Sequence, residues 1–232
     1  MRIRWMITVV VLATAQITLA NTQQIIAAKL SSDTSAPLAL LNKRQVLRAN
    51  YEAYSTLGAD GNPHSNGWYA STNYPSKKRL STRLPVNALS LTIDTARLDT
   101  FSTHYQAYPL YIVNTTTDTL QFKAMDSRLY MRMQALNEEG HWQDIEYLQR
   151  WASCGNSYHR IRLEPDAHWK FVVPHFEGTL QTKLRVVLEY IDPHDPGKIE
   201  LAFSNTINVR LNPSQFLQEQ SEFPLNAKEP IE

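Results

Sequence analysis

A mainly β fold, an antiparallel sandwich preceded by a helical extension, is what this sequence predicts, and three observations predict it. Leu129, Met131, Met133 and Ala135 recur at every second position, as do Leu184, Val186, Leu188 and Tyr190, and a period of two lays each set on one strand face. After Leu84, short runs of strand-forming residues alternate with clusters of turn residues. No long helical pattern separates those runs, which argues against βαβ units.

The chain opens with Arg2 and Arg4, then an apolar stretch through Ile7, Val9, Val10, Val11, Leu12 and Ala13, then Thr18-Leu19-Ala20. Basic start, short apolar middle and small residues at a cleavage site are the marks of a secretory signal peptide over 1–20, cut after Ala20. Its loss leaves 21 basic against 22 acidic residues, a formal charge of −1. The expected compartment is the periplasm or the extracellular space. No later run is long and apolar enough to predict a membrane-spanning helix after cleavage.

Residues 21–84 read as a helical and irregular extension. Gln23–Leu30 and Leu38–Tyr54 are helix-compatible, with Leu40, Leu41, Leu47, Tyr51 and Tyr54 near helical spacing, Pro37 as a starter and Gly58 as a stop. Asp60-Gly61-Asn62-Pro63, Gly67, Pro75 and Lys77-Lys78-Arg79 favour irregular chain from 55 to 85, yet Trp68, Tyr69 and Tyr74 gain from burial and tie it to the domain that follows.

The sandwich domain occupies 85–213. Its expected strands are 86–94, 108–114, 119–125, 128–137, 142–148, 159–163, 168–174, 181–191 and 199–211. Asn114–Asp118, Asn137–Gly140, Gly178 and Asp192–Gly197 supply the reversals. Seven to nine short antiparallel strands with local returns suit an immunoglobulin-like or fibronectin-like sandwich, although the Cys…Trp…Cys framework is missing. A tail over 214–232 follows, polar overall, with Phe216, Leu217 and Phe223 able to order its beginning.

At 43% hydrophobic and 19% charged, the composition excludes collagen and full disorder. Near-neutral charge offers no broad basic field, so no nucleic-acid partner is expected. Cys154 is the only cysteine, which leaves packing rather than an internal disulfide to hold the fold. No phosphate-binding loop, dinucleotide fingerprint, serine elbow or zinc spacing occurs, so no cofactor and no metal site is expected. His141, His159, His168, His175 and His194 lack such spacing, and His168 and His175, seven apart, face opposite sides of any continuous strand. Asp192, His194 and Asp195 form a polar turn, and Asp144 and Glu146 share a strand face.

The most distinctive stretch is Trp151-Ala152-Ser153-Cys154-Gly155-Asn156-Ser157-Tyr158-His159, followed by the strand Trp169-Lys170-Phe171. Over Trp142–Glu177 the chain resembles a group of uncharacterised exported bacterial β-sandwich proteins carrying such a connection and such a strand. The resemblance implies an exported sandwich module and no catalytic residues.

The expected function is therefore that of a noncatalytic exported binding or assembly module of the bacterial cell envelope, with an envelope protein or carbohydrate as partner. Its candidate surface is Trp68, Tyr69, Tyr74, Trp151, Asn156, Tyr158 and His159, because turn-rich sandwich ends carry recognition loops. One alternative is a structural surface subunit that assembles through strand edges. The other is a cysteine hydrolase with Cys154 as nucleophile and His159 as base, which requires contact geometry that sequence proximity does not ensure.

Overall fold

The computed structural model describes residues 38–43, 46–55, 71–80, 84–150, 152 and 155–216, with the backbone alone for Asn156. The signal segment, the helix expected over Gln23–Leu30, and Leu217 and Phe223 of the tail lie outside the described residues. In chain order the strands are β1 (Leu47–Arg48), β2 (Leu89–Ile93), β3 (Asp99–Phe101), β4 (Tyr105–Asn114), β5 (Leu120–Met125), β6 (Arg128–Leu129) and β7 (Met131–Leu136). There follow β8 (Trp142–Asp144), β9 (Glu146–Tyr147), β10 (Tyr158–Leu163), β11 (His168–Pro174), β12 (Leu180–Ile191), β13 (Ile199–Phe203) and β14 (Ile207–Leu211). Every expected run contains strand. Among the described residues no helix is long and apolar enough to cross a membrane.

Two antiparallel sheets face each other, and each is organised on one long strand. In the first, β4 pairs with β11 along one edge and with β2 and β3 in succession along the other. In the second, β12 pairs with β13 and β14 along one edge, and with β7 and, at Ile191, β5 along the other; β8 and β10 extend that sheet outward. The two-residue turn Asp126–Ser127 joins β5 to β6 with both residues at positive φ, the mirror-image turn whose twist matches that of paired strands.

The period-two faces point inward as their spacing predicts. Leu110 and Ile112 of β4 and Trp169, Phe171 and Val173 of β11 meet Phe122, Met131, Met133, Ala135, Leu184, Val186 and Leu188 from the second sheet. Phe122 and Trp169 pack edge to face at 5.4 Å. Burying each large side chain contributes roughly 1.5–3 kcal/mol, enough in sum to dispense with a crosslink.

Asn205 joins the sheets at one edge. It sits between β13 and β14, where the return strand leaves β12, and its side chain accepts a hydrogen bond from Ile93 N at 2.7 Å and donates to Ile93 O at 3.1 Å. Beside it, Ser204 bridges to Leu91. Gly178, expected only as a turn former, is required by space: a Cβ there would lie 2.1 Å from the backbone carbon of Leu211.

The helix expected over Leu38–Tyr54 is absent; the described parts of that segment run as an extended strap. Leu47, Ala49, Tyr51, Ala53 and Ser55 are buried while Arg48, Asn50, Glu52 and Tyr54 are not, an alternation only a strand produces. Strap backbone groups complete the sheets. Ala39 and Leu41 bridge to Tyr105 and Phe176, β1 pairs in parallel with β9, and Tyr51 O accepts from Leu129 N at 3.0 Å. Tyr54 O receives the indole N–H of Trp169 at 3.0 Å, so the strap also satisfies the one polar atom of a fully buried ring. Helix spacing was thus outcompeted by pairing partners already waiting at the edges of two sheets.

The first residues of the tail, through Phe216, pack on the sandwich. Phe216 packs on the core, Gln215 accepts from Asn212 N at 3.0 Å, and the Asn212 amide donates to Asn42 and to Lys43 O.

Candidate functional site

The second sheet kinks at Ile145, and the kink turns Glu146 inward. Ile145 N donates to Met133 O at 3.1 Å, while Met133 N donates not to a backbone carbonyl but to Glu146 Oε2 at 2.7 Å. The carboxylate has taken an acceptor position in the ladder. Tyr51 OH, arriving on the strap, donates to the same oxygen at 2.8 Å. Burial, with 4% of Glu146 exposed, pushes its carboxyl up to about 7; the Asp144 charge adds to the rise, while the Met133 N–H, the Tyr51 hydroxyl and Arg132 oppose it. Tyr51 is held well above its ordinary value by its own burial, then by the Glu146 charge and their shared hydrogen bond.

Asp144 and Glu146, expected on one strand face, are separated by that kink. Asp144 accepts from Arg132 Nε at 2.6 Å and from Gln134 at 2.8 Å, and Arg132 and Arg150 both pair with Glu189. Next to this network the Arg185 guanidinium lies 4.2 Å from the Trp142 ring centre and 4.3 Å from that of Phe203.

Above Glu146 opens a cleft of about 370 Å³. Arg48, Asn50 and Tyr51 of the strap form one wall, Asp99 and Phe101 of β3 another, and Lys170, Phe171, Val172 and Pro174 of β11 the third, with Asn73 at the rim. Phe171 meets Tyr51 edge to face at 5.8 Å. Lys170 Nζ and Asp99 Oδ2 form an ion pair, and the Asn73 amide donates to Glu52 O and Lys170 O, tying the 71–80 segment to both strap and β11. An apolar floor with a few fixed polar groups is the composition of a ligand site. Its titratable lining groups are Arg48, Tyr51, Asp99, Glu146 and Lys170.

Of the residues expected to form a binding surface, Trp68, Tyr69 and Trp151 lie outside the described residues, as do Cys154 and the side chain of Asn156. Tyr158 and His159 come together in a second recess, about 360 Å³, with Lys123, Ala124, Tyr130 and Arg160. Tyr158, 45% exposed, accepts a hydrogen bond from Ala152 N at 2.8 Å. His159 Nδ1 lies 3.1 Å from Ser157 O, a carbonyl that can only accept, so the proton sits on Nδ1. Burial lowers the His159 imidazole, against the Ser157 bond and the Asp126 charge, and Nε2 is buried without a partner among the described residues. Tyr74 lines neither recess; its ring packs tilted against Tyr54, centroids 4.5 Å apart, with 60% of its surface exposed.

His168 and His175 make local packing contacts. His168 packs against Tyr111, its backbone paired with Ser76, and His175 meets the Tyr108 hydroxyl. In the Asp192–Gly197 turn, Asp192 accepts from His194 N at 2.8 Å and pairs with Lys198. No group of three or more metal-binding side chains is gathered among the described residues.

Sequence reasoning missed Arg48, Tyr51, Asp99 and Lys170 as neighbours, and Glu146 as a buried group. The alternation Leu47-Arg48-Ala49-Asn50-Tyr51-Glu52-Ala53 was the signal available for the strap. Nothing local marks the cleft, whose lining comes from five separate stretches of chain. Comparison with protein-family models, with curated proteins and with solved structures gave no match, so function has to be argued from the side chains themselves.

Proposed function

We propose that this chain is a noncatalytic binding module of the bacterial cell envelope, exported to the periplasm or beyond, built as an immunoglobulin-like or fibronectin-like sandwich, and that its ligand seats in the cleft above Glu146. The observation that carries this reading is the combination of Phe101, Phe171, Val172 and Pro174 as an apolar floor with Arg48, Asn50, Asn73 and the Lys170–Asp99 pair around it. Aromatic faces beside amides and paired charges suit an envelope carbohydrate or a short segment of an envelope protein. Glu146 supports recognition over turnover, because its Oε2 is held by two donors that fasten the strap to the sheet. Export rests on the basic and apolar start of the chain and its Thr18-Leu19-Ala20 site.

The test is a binding screen of the mature protein against isolated envelope carbohydrates and envelope-protein peptides, repeated with Phe101→Ala and Lys170→Ala. Saturable binding that weakens at least tenfold in both variants is the expected result. Absence of any binding, or chemical conversion of a bound ligand, overturns the proposal.

A further inference from the structure

The outer face of β5 and β10 places two cations where sheet energetics alone would not. Arg160 lies directly opposite Lys123 in the antiparallel register, and both are exposed. Like charges in that relation repel across a strand pair. Neither forms an ion pair with a carboxylate among the described residues; Arg160 donates only to Gln121, at 3.2 Å. Arg162 stands two residues further along the same row, one strand repeat of about 7 Å away. The chain as a whole is nearly neutral, so this concentration of positive charge is local. Carboxylates in the surroundings are otherwise directed: Asp126 acts on His159 at the hairpin turn, and Glu189 is paired with Arg132 and Arg150.

The two cations also border the recess that contains Tyr130 and Tyr158. A half-exposed phenol ring beside two uncompensated charges defines two binding elements at once: a flat apolar face, and a seat for a group carrying close to two negative charges. We propose that this recess binds a phosphomonoester, its phosphoryl oxygens shared between the Arg160 guanidinium and Lys123 Nζ and the attached ring or chain laid against Tyr158. A phosphomonoester carries about −1.5 to −2 charge at pH 7, which balances the pair, whereas a carboxylate balances one member only. Arg160 supplies a planar fork for two oxygens and Lys123 a point charge. This site is separate from the cleft above Glu146 and does not depend on it.

The experiment titrates the mature protein with phenyl phosphate, with benzoate, and with phosphatidylcholine vesicles with and without phosphatidic acid. Calorimetry and amide shifts at Lys123 and Arg160 are the readouts. Saturable binding of phenyl phosphate at least tenfold tighter than benzoate is expected for a soluble ligand, and retention by the phosphatidic acid vesicles for a lipid one. Arg160→Gln and Lys123→Gln each weaken binding at least tenfold, while Lys183→Gln leaves it unchanged. Lys123→Gln also melts no lower than the parent, because it relieves a repulsion. No saturable binding to either phosphomonoester source, equal binding of benzoate, or binding indifferent to both variants overturns the proposal.

Discussion

The Tyr51 hydroxyl and the Glu146 carboxylate, 95 residues apart in sequence, meet at 2.8 Å in the interior and fasten the strap to the second sheet. Met133 N shares the same oxygen, so a single carboxylate holds one donor from the strap and one from β7. Such a group is costly to bury and costlier to disturb.

Stability is expected to depend on pH through Glu146 with the sign of a raised carboxyl. The folded value near 7 lies above the ordinary 4.5, so the folded state holds this proton more tightly than the unfolded chain. The contribution is fully present below pH 4.5, declines as pH rises through about 7, and is then constant, amounting to roughly 3 kcal/mol. Urea unfolding from pH 4 to 8, compared with Glu146→Gln, isolates it. The variant should gain relative to the parent across that window, and parallel curves would remove Glu146 as the cause.

Tyr51→Phe keeps the ring on Phe171 and deletes the hydroxyl. A buried carboxylate then loses one of two donors, at a cost of about 1–3 kcal/mol. Since the hydroxyl also holds the Glu146 carboxyl down, its removal moves the pH window upward. Equilibrium unfolding at three pH values checks both statements; a window that moves downward contradicts the assignment.

Asn205→Ala releases both backbone bonds to Ile93 and is expected to cost about 1–3 kcal/mol. Hydrogen exchange should quicken first at the Ile93 amide, because Asn205 is its acceptor. Unchanged protection there would show that the clamp between the sheets is dispensable.

Gly178→Ala forces a methyl group into the backbone at Leu211–Asn212 and is expected to destabilise by about 3 kcal/mol or prevent folding. Gly140→Ala provides the contrast. Nothing lies within 4 Å of its added Cβ, and its cost comes only from a φ of +81°. Thermal melting of the two variants should therefore rank Gly178 well below Gly140, and equal losses would mean that space at Gly178 is not the constraint.

The strands of the sandwich were legible because their determinants are local. Leu184, Val186 and Leu188 face the core in any sheet that contains them, since alternation is a property of the extended backbone itself. The strap was legible in the same alternation, but Leu40, Leu41, Leu47, Tyr51 and Tyr54 also match helical spacing, and a run of leucine, alanine and tyrosine supports either reading. The interruptions at Tyr130, Ile145 and Ser204–Thr206 carry no proline or glycine, so the local sequence predicts continuous strand through each.

By itself, then, the order of residues determined most of the strands after Leu84 and which of their alternating side chains enter the core, but not β3 (Asp99–Phe101) or the start of β4 at Tyr105–Ala107. Tertiary structure alone decided that residues 39–43 and 46–55 run as a strap and not a helix, because their backbone donors and acceptors find partners near Tyr105, Leu129, Tyr147 and Phe176, far away in sequence. It alone buried Glu146, through a kink whose acceptor is a side chain, and it alone brought Arg48, Asp99, Glu146 and Lys170 around one cleft. A short sequence window reports what a segment favours in isolation, whereas pairing and burial are settled by which distant segment reaches it.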